Sequence, residues 1–192
     1  MISTEPVLIG VVLTGGASRR MGRTKALVEV GGTPMASRVA GALFDAGCES
    51  VVLYGGDPRQ LAPLDLPVLP DRHPGEGPLG GILGVLELFA EQATDILIVA
   101  CDLANLSSTD LIVLIEAARL RPDADVVVAN GGRVEPTCAL WRSASADRVR
   151  ASFDGGERAV HRVLGDLCTF EVSLPPTSLC NINTPGDLDR YS

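Results

Sequence analysis

The chain has 192 residues, 46% apolar and 21% charged, with a formal net charge of −8. That length and apolar content predict one globular domain with a sizeable core and exclude a disordered chain, while the acidic balance argues against nucleic-acid or anionic-membrane binding. Cys48, Cys101, Cys138, Cys168 and Cys180 are scattered and form no C-x-x-C pair, so neither zinc nor a disulfide framework is expected; with no apolar run near the roughly 18 residues of a membrane span and no basic, apolar leader, the chain reads as cytoplasmic.

The apolar run Val7–Leu13 predicts a buried strand. It ends in Gly15, Gly16 and Ser18, followed by Arg19, Arg20, Gly22, Arg23 and Lys25. Glycines let the main chain approach a ligand, exposed N–H groups receive oxygens, and the cations neutralise charge, so a polyphosphate-binding loop is expected. It is neither a dinucleotide fingerprint, because Ala17 takes the place of the second glycine, nor a P-loop, because Arg23 follows Gly22. A helix is predicted over 34–46, with Pro34 at its start and Gly47 as its stop. A strand over 50–54 is broken by Gly55-Gly56-Asp57-Pro58, and a proline-rich stretch carries a short strand at 67–69.

Gly77-Pro78-Leu79-Gly80-Gly81 opens a helix that places Leu79, Ile82, Leu83, Leu86 and Phe89 on one face. The run 96–100 reads as a central parallel strand ending at Cys101-Asp102. Ser107 or Ser108 caps a helix reaching Leu120. Strands at 125–129 and 137–141 (the latter antiparallel), helices at 144–153 and 158–167, strands at 169–172 and 178–182, and a capped helix start at Thr184 complete the reading. This alternation predicts an α/β fold, three layers with a mostly parallel sheet covered by helices, as one domain over 1–192. Ligands of such sheets bind at carboxyl strand ends. Leu13, Tyr54, Asp102 and Trp141 all fall at or near such ends, so the glycine loop and Asp102 are expected to share one cleft.

Asp102 follows four aliphatics at a strand terminus, where a carboxylate can hold Mg²⁺ completed by phosphate oxygens and water, or else cap the next helix. Asp71, in the loop before Gly77-Pro78, is the second candidate. No nucleophile–base pair stands out: His73 and His161 are isolated, and Ser18 has no triad partner nearby in sequence. An acceptor that is itself a phosphate needs no general base, and catalysis then reduces to alignment and charge neutralisation.

Leu13-Thr-Gly-Gly-Ala-Ser-Arg-Arg-Met-Gly-Arg-Thr-Lys25 resembles the L-A-G-G-x-S-x-R-M-G-x-x-K signature of the molybdenum cofactor guanylyltransferases, the MobA-like nucleotidyltransferases. The similarity runs along nearly the whole chain, through Gly77-Pro78-Leu79-Gly80-Gly81, Cys101-Asp102, Glu135-Pro136-Thr137-Cys138-Ala139-Leu140, Gly156-Glu157-Arg158-Ala159-Val160 and Asn181-Ile182-Asn183-Thr184-Pro185 with Asp187-Leu188. The resemblance implies a Rossmann-like sheet of the nucleotide-diphospho-sugar transferase type, with a nucleotide-binding N-terminal half and an acceptor-binding C-terminal half. It implies GMP transfer from GTP to molybdopterin with release of pyrophosphate, and molybdoenzymes or other cofactor-biosynthesis proteins as partners. On its motifs Leu13, Thr14, Gly15 and Gly16 would contact the nucleotide, Lys25 its phosphates, Arg20 the triphosphate, Asp71 GTP, and Asp102 both GTP and Mg²⁺. Lys25, Arg20 and Asp102 would be catalytic, and Arg158, Asn181 and Asn183 would bind the acceptor. The two asparagines, two apart on an expected strand, would face the same way.

Thr14 replaces the family's alanine, Ala104 its proline after C-D-x, and Tyr54 an asparagine that contacts the guanine side in relatives. Gly15-Gly16 resembles the guanylyl enzymes, whereas cytidylyl relatives carry L-A-A-G. The alternatives are cytidylyl transfer, nucleotidyl transfer to another phosphorylated acceptor, and a non-catalytic nucleotide-binding accessory protein.

Overall fold

The computed structural model describes residues 6–15, 24–92 and 94–182. The chain opens with β1 (Val7–Leu13) and, after a 3-10 turn at Lys25–Leu27, forms a small hairpin of β2 (Glu29–Val30) and β3 (Thr33–Pro34). Then come α1 (Met35–Asp45), β4 (Ser50–Tyr54), α2 (Pro58–Leu61), β5 (Val68–Leu69), α3 (Gly77–Phe89), β6 (Thr94–Ala100) and α4 (Ser108–Leu120). β7 (Val126–Asn130), β8 (Val134–Arg142), α5 (Ala146–Asp154), α6 (Val160–Gly165) and β9 (Thr169–Ser173) complete it. The seven-stranded sheet has the order β5-β4-β1-β6-β8-β7-β9. Every pairing is parallel except the two made by β8, which runs against β6 and β7.

Alternation along the strands divides the core into two layers. Val12, Leu53, Leu97 and Val99 face α1 and α4, meeting Val39, Leu43, Leu111 and Leu114. Val11, Ile96 and Ile98 face α3, α5 and α6. Leu79, Ile82, Leu83 and Leu86 of α3 are fully buried on that side, each worth about 2 kcal/mol of burial. The result is the expected three-layer α/β/α domain.

Three expectations change. Trp141 does not join the carboxyl strand ends: β8 is antiparallel, so its carboxyl end pairs Trp141 with Ile96, near the start of β6 and at the opposite end of the sheet from Asp102. Residues 178–182 form no strand. Ser178 N–H donates to Pro175 O and Leu179 N–H to Pro176 O, a turn that the Pro175-Pro176 pair initiates, and the chain then leads toward Asp102. Sixth in the helices, α6 begins at Val160 rather than 158, because the Glu157 carboxylate first takes the N–H groups of Arg158 and Ala159, both at 2.8 Å. Those hydrogen bonds, Ala159's first, hold the Glu157 carboxyl below its ordinary value. The expected helix start at Thr184 lies outside the described residues.

Candidate active site

Leu13, at the end of β1, pairs with Tyr54 of β4 on one side and Ala100 of β6 on the other, so three carboxyl strand ends lie abreast. The chain is sewn together just beyond them. Thr14 N–H and Gly15 N–H donate to Tyr54 O at 2.9 and 3.2 Å, and Cys101 N–H donates to Leu13 O at 3.1 Å. The buried Thr14 hydroxyl contacts Gly55 O at 2.7 Å and Tyr54 O at 3.2 Å. Thr14 therefore directs its side chain into the scaffold. The backbones of Gly15 and Gly55 nearly touch: a Cβ at Gly55, whose φ is +80°, would lie 2.9 Å from Gly15 Cα.

The 3-10 turn carries Lys25 across the strand ends to Asp102, Nζ to Oδ2 at 2.6 Å, each side chain about one-fifth exposed (21% and 20%). Asn181, with its amide nitrogen turned toward Asp102, donates to Oδ1 at 3.1 Å and Oδ2 at 3.3 Å, while Ile182 N–H donates to Asp102 O at 3.0 Å. Asp102 does not cap α4. That cap is a capping box between Ser107 and Asp110. The carboxylate is held at the strand end by a cation and an amide, as a charge-bearing site requires.

Asp71 sits beyond β5 with Oδ2 3.6 Å from where a Cβ on Gly15 would project. Its Oδ1 accepts from His73 N–H at 2.9 Å and lies 3.5 Å from the Tyr54 hydroxyl. Burial pushes the Tyr54 phenol above its ordinary value, so it stays protonated at neutral pH. Arg158, in the connection between α5 and α6, reaches the far end of that loop. Its Nε donates to Glu76 Oε2 at 2.5 Å, and its guanidinium lies over the Phe153 ring, 3.8 Å from the centroid.

The structure thus gathers Leu13, Thr14, Gly15, Lys25, Asp71, Asp102 and Asn181 around the strand ends, with Arg158 beside the start of α3. Gly16, Arg20 and Asn183 lie outside the described residues. Sequence reading missed Glu87, whose side chain is only 6% exposed and pairs with His73 at 3.2 Å, Arg150 at 2.9 Å and Arg72 at 3.6 Å. A lone acid between Leu86 and Leu88 was its signal. His73 is accordingly not isolated: it also packs against Phe153, the ring centroids 5.0 Å apart and the planes tilted by 55°.

No group of three or more His, Cys, Asp or Glu residues is arranged to hold a metal among the described residues. A cation held by one carboxylate and substrate phosphates needs no such cage, and Asp102 supplies the hard oxygen donor that Mg²⁺ prefers. No described helix is long and apolar enough to cross a membrane.

Residues 10–169 match the MobA-like NTP transferase domain. The chain belongs to that family of nucleotidyltransferases. It is 37% identical over 186 residues to a molybdenum cofactor guanylyltransferase of Rhodobacter capsulatus, covering 95% of this chain and 94% of that protein. With a molybdenum cofactor guanylyltransferase of Shewanella loihica the identity is 32% over 197 residues, with 98% and 97% coverage. Among solved structures, the molybdopterin-guanine dinucleotide biosynthesis protein A of Archaeoglobus fulgidus superposes with a TM-score of 0.75 at 22% identity, covering 95% of this chain and 96% of that one. The 2-C-methyl-D-erythritol 4-phosphate cytidylyltransferase of Thermus thermophilus gives 0.69 at 18% identity, with 94% and 95% coverage. The fold is therefore shared by enzymes named for different bases, and base choice must reside in the site.

Proposed function

We propose that this chain transfers GMP from GTP to the terminal phosphate of molybdopterin, forming the guanine dinucleotide cofactor and releasing pyrophosphate. The observation that carries the reading is the Lys25–Asp102 pair set across the strand ends beside the Gly15 main chain. One group suits phosphate oxygens, and the other suits a divalent cation.

In this reading an acceptor phosphate oxygen attacks the α-phosphorus, the α–β bridging bond breaks, and pyrophosphate leaves with the electron pair. Leu13, Thr14, Gly15 and Gly16 receive the nucleotide, Thr14 through its main-chain carbonyl because its hydroxyl and its N–H are already engaged. Lys25 and Arg20 neutralise the triphosphate, and Asp71 contacts the nucleotide. Asp102 holds Mg²⁺, which when bound supplies charge neutralisation to the triphosphate. Arg158, Asn181 and Asn183 bind the acceptor, so one domain over 1–192 divides its work between an N-terminal nucleotide half and a C-terminal acceptor half. Five free cysteines support a reducing, cytoplasmic setting.

Calorimetric titration with Mg²⁺ and GTP, CTP, ATP or UTP, followed by pyrophosphate release with molybdopterin, tests the assignment. Binding and turnover with GTP are expected. Turnover with CTP and none with GTP would assign a cytidylyltransferase, and nucleotide binding with no turnover would assign an accessory protein.

A further inference from the structure

Tyr54 ends β4 beside the glycine loop, and its side chain points away from the cleft. It is 1% exposed, so its ring cannot offer a hydrogen-bonding edge to a ligand in the cleft. The hydroxyl instead turns inward under the loop after β5. It accepts from Arg72 N–H at 2.9 Å and lies 3.5 Å from Asp71 Oδ1. The carbonyl of the same residue accepts from the N–H groups of Thr14 and Gly15. One residue therefore ties the glycine loop to the Asp71 loop from both its main chain and its side chain.

The space for this arrangement is made in α3. An ideal Cβ at Gly84 would lie 1.9 Å from the phenolic oxygen and 2.9 Å from Cζ, so only glycine there admits the tyrosine in this pose. On its outer side the loop is held by Glu87, which pairs with Arg72 and His73. Asp71 is thus fixed between a buried hydroxyl and a buried carboxylate's partners.

We propose that Tyr54 is a positioning residue for the nucleotide site: with Gly84 as its socket, it sets the distance between Asp71 and the Gly15 main chain and acts on the nucleotide only through Asp71. The inference rests on the nucleotide site proposed above.

The test uses the full chain. Tyr54→Phe keeps the ring and removes the hydroxyl, leaving Arg72 N–H without its acceptor. Hydrogen exchange of the Arg72 and His73 amides, measured without nucleotide, is expected to accelerate about tenfold. Titration with Mg²⁺ and GTP is expected to show about tenfold weaker binding, with a raised KM and kcat within about threefold of wild type. In an Asp71→Ala background the same substitution is expected to cost nothing further, because the group it positions is gone. Gly84→Ala should weaken binding at least as much, and adding Tyr54→Phe, which removes the closest clash but also the positioning hydroxyl, should bring binding back no further than the level of Tyr54→Phe alone. Unchanged amide exchange, or losses from Tyr54→Phe and Asp71→Ala that simply add, would overturn the proposal. A wild-type chain that ignores GTP sinks the function proposed above, while the exchange measurement still decides the role of Tyr54.

Discussion

Replacing Lys25 by alanine separates what the Lys25–Asp102 pair does for stability from what it does for chemistry. The two charges sit 2.6 Å apart, but each side chain keeps about one-fifth of its surface in water. The pair therefore lies between exposed bridges, worth under about 1 kcal/mol, and buried ones, whose breakage costs about 3–5 kcal/mol. Asp102 also retains the Asn181 amide after the lysine is lost, so a cost of about 1 kcal/mol is expected, or about 2–4 °C in Tm for a domain of this size. The catalytic cost is larger. A cation aimed at charge developing on a triphosphate is worth about 10²–10³ in kcat, or about 3–4 kcal/mol. Lys25→Ala should therefore be a folded protein with little activity, and Lys25→Arg should recover part of it, since charge is kept but the ammonium geometry is not. Scanning calorimetry and pyrophosphate release with GTP, Mg²⁺ and molybdopterin measure the two costs. A kcat within about tenfold of wild type, or a lost rate accompanied by a Tm drop beyond about 10 °C, would refute the assignment.

Gly55→Ala should destabilise the chain by about 1–3 kcal/mol in urea unfolding and weaken nucleotide binding, because its Cβ would meet Gly15 backbone at a positive φ; binding and stability equal to wild type would remove the close approach of the two loops from the account. Arg158→Ala should raise the KM for molybdopterin about tenfold while leaving the calorimetric affinity for GTP within about twofold; a matching loss for GTP would move Arg158 to the nucleotide side. Burial pushes the Cys48 and Cys101 thiols up to about 12, and Cys138 higher still. Unfolded thiols ionise near 8.5, so the native state keeps protons that the unfolded chain releases, and stability present below about pH 8.5 is lost as pH rises toward 12, at up to about 1.4 kcal/mol per pH unit per thiol. Urea unfolding between pH 7.5 and 10.5 should show that decline and Cys48→Ala a shallower one, whereas a flat profile would contradict it.

Where a buried run is bounded by glycine or proline, sequence and structure agree to the residue, as in β1 and β4. Where tertiary pairing decides, they part. The β2–β3 hairpin has two residues per strand, too few for a periodic signal; only Gly31-Gly32, both at positive φ, marked it. Asp57-Pro58 read as a break, yet it caps α2, Asp57 accepting from Arg59 N–H. Pro136 hid the first residues of β8, since proline normally ends a strand. It survives because the β7 ladder slips there, from Val128↔Ala139 to Ala129↔Glu135. The direction of β8 decided where Trp141 went. At the site, Lys25, Asp71 and Asp102 were legible because a charge beside a glycine turn or at an apolar strand end has no packing reason to be there. Tyr54 and Glu87 were not, because their roles depend on what lies opposite: a missing Cβ at Gly84 for one, three cations from separate segments for the other.

The groups gathered at the strand ends are an ammonium, two carboxylates, an amide and main chain. Such a set aligns and neutralises phosphates, and among the described residues it shows no partner poised to take a proton from an alcohol. The acceptor must then arrive already ionised, which a phosphate monoester does above its second pKa of about 6 and a sugar hydroxyl does not. The rate should report that ionisation. With GTP and Mg²⁺ saturating, kcat/KM for molybdopterin should rise about tenfold per pH unit below about pH 6 and stay level from about 7 to 8. Dephosphorylated acceptor should give no turnover. A second ionisation near neutrality that vanishes on substitution of a site carboxylate, or turnover with a hydroxyl acceptor, would reveal a protein base and replace charge neutralisation with proton transfer as the basis of catalysis here.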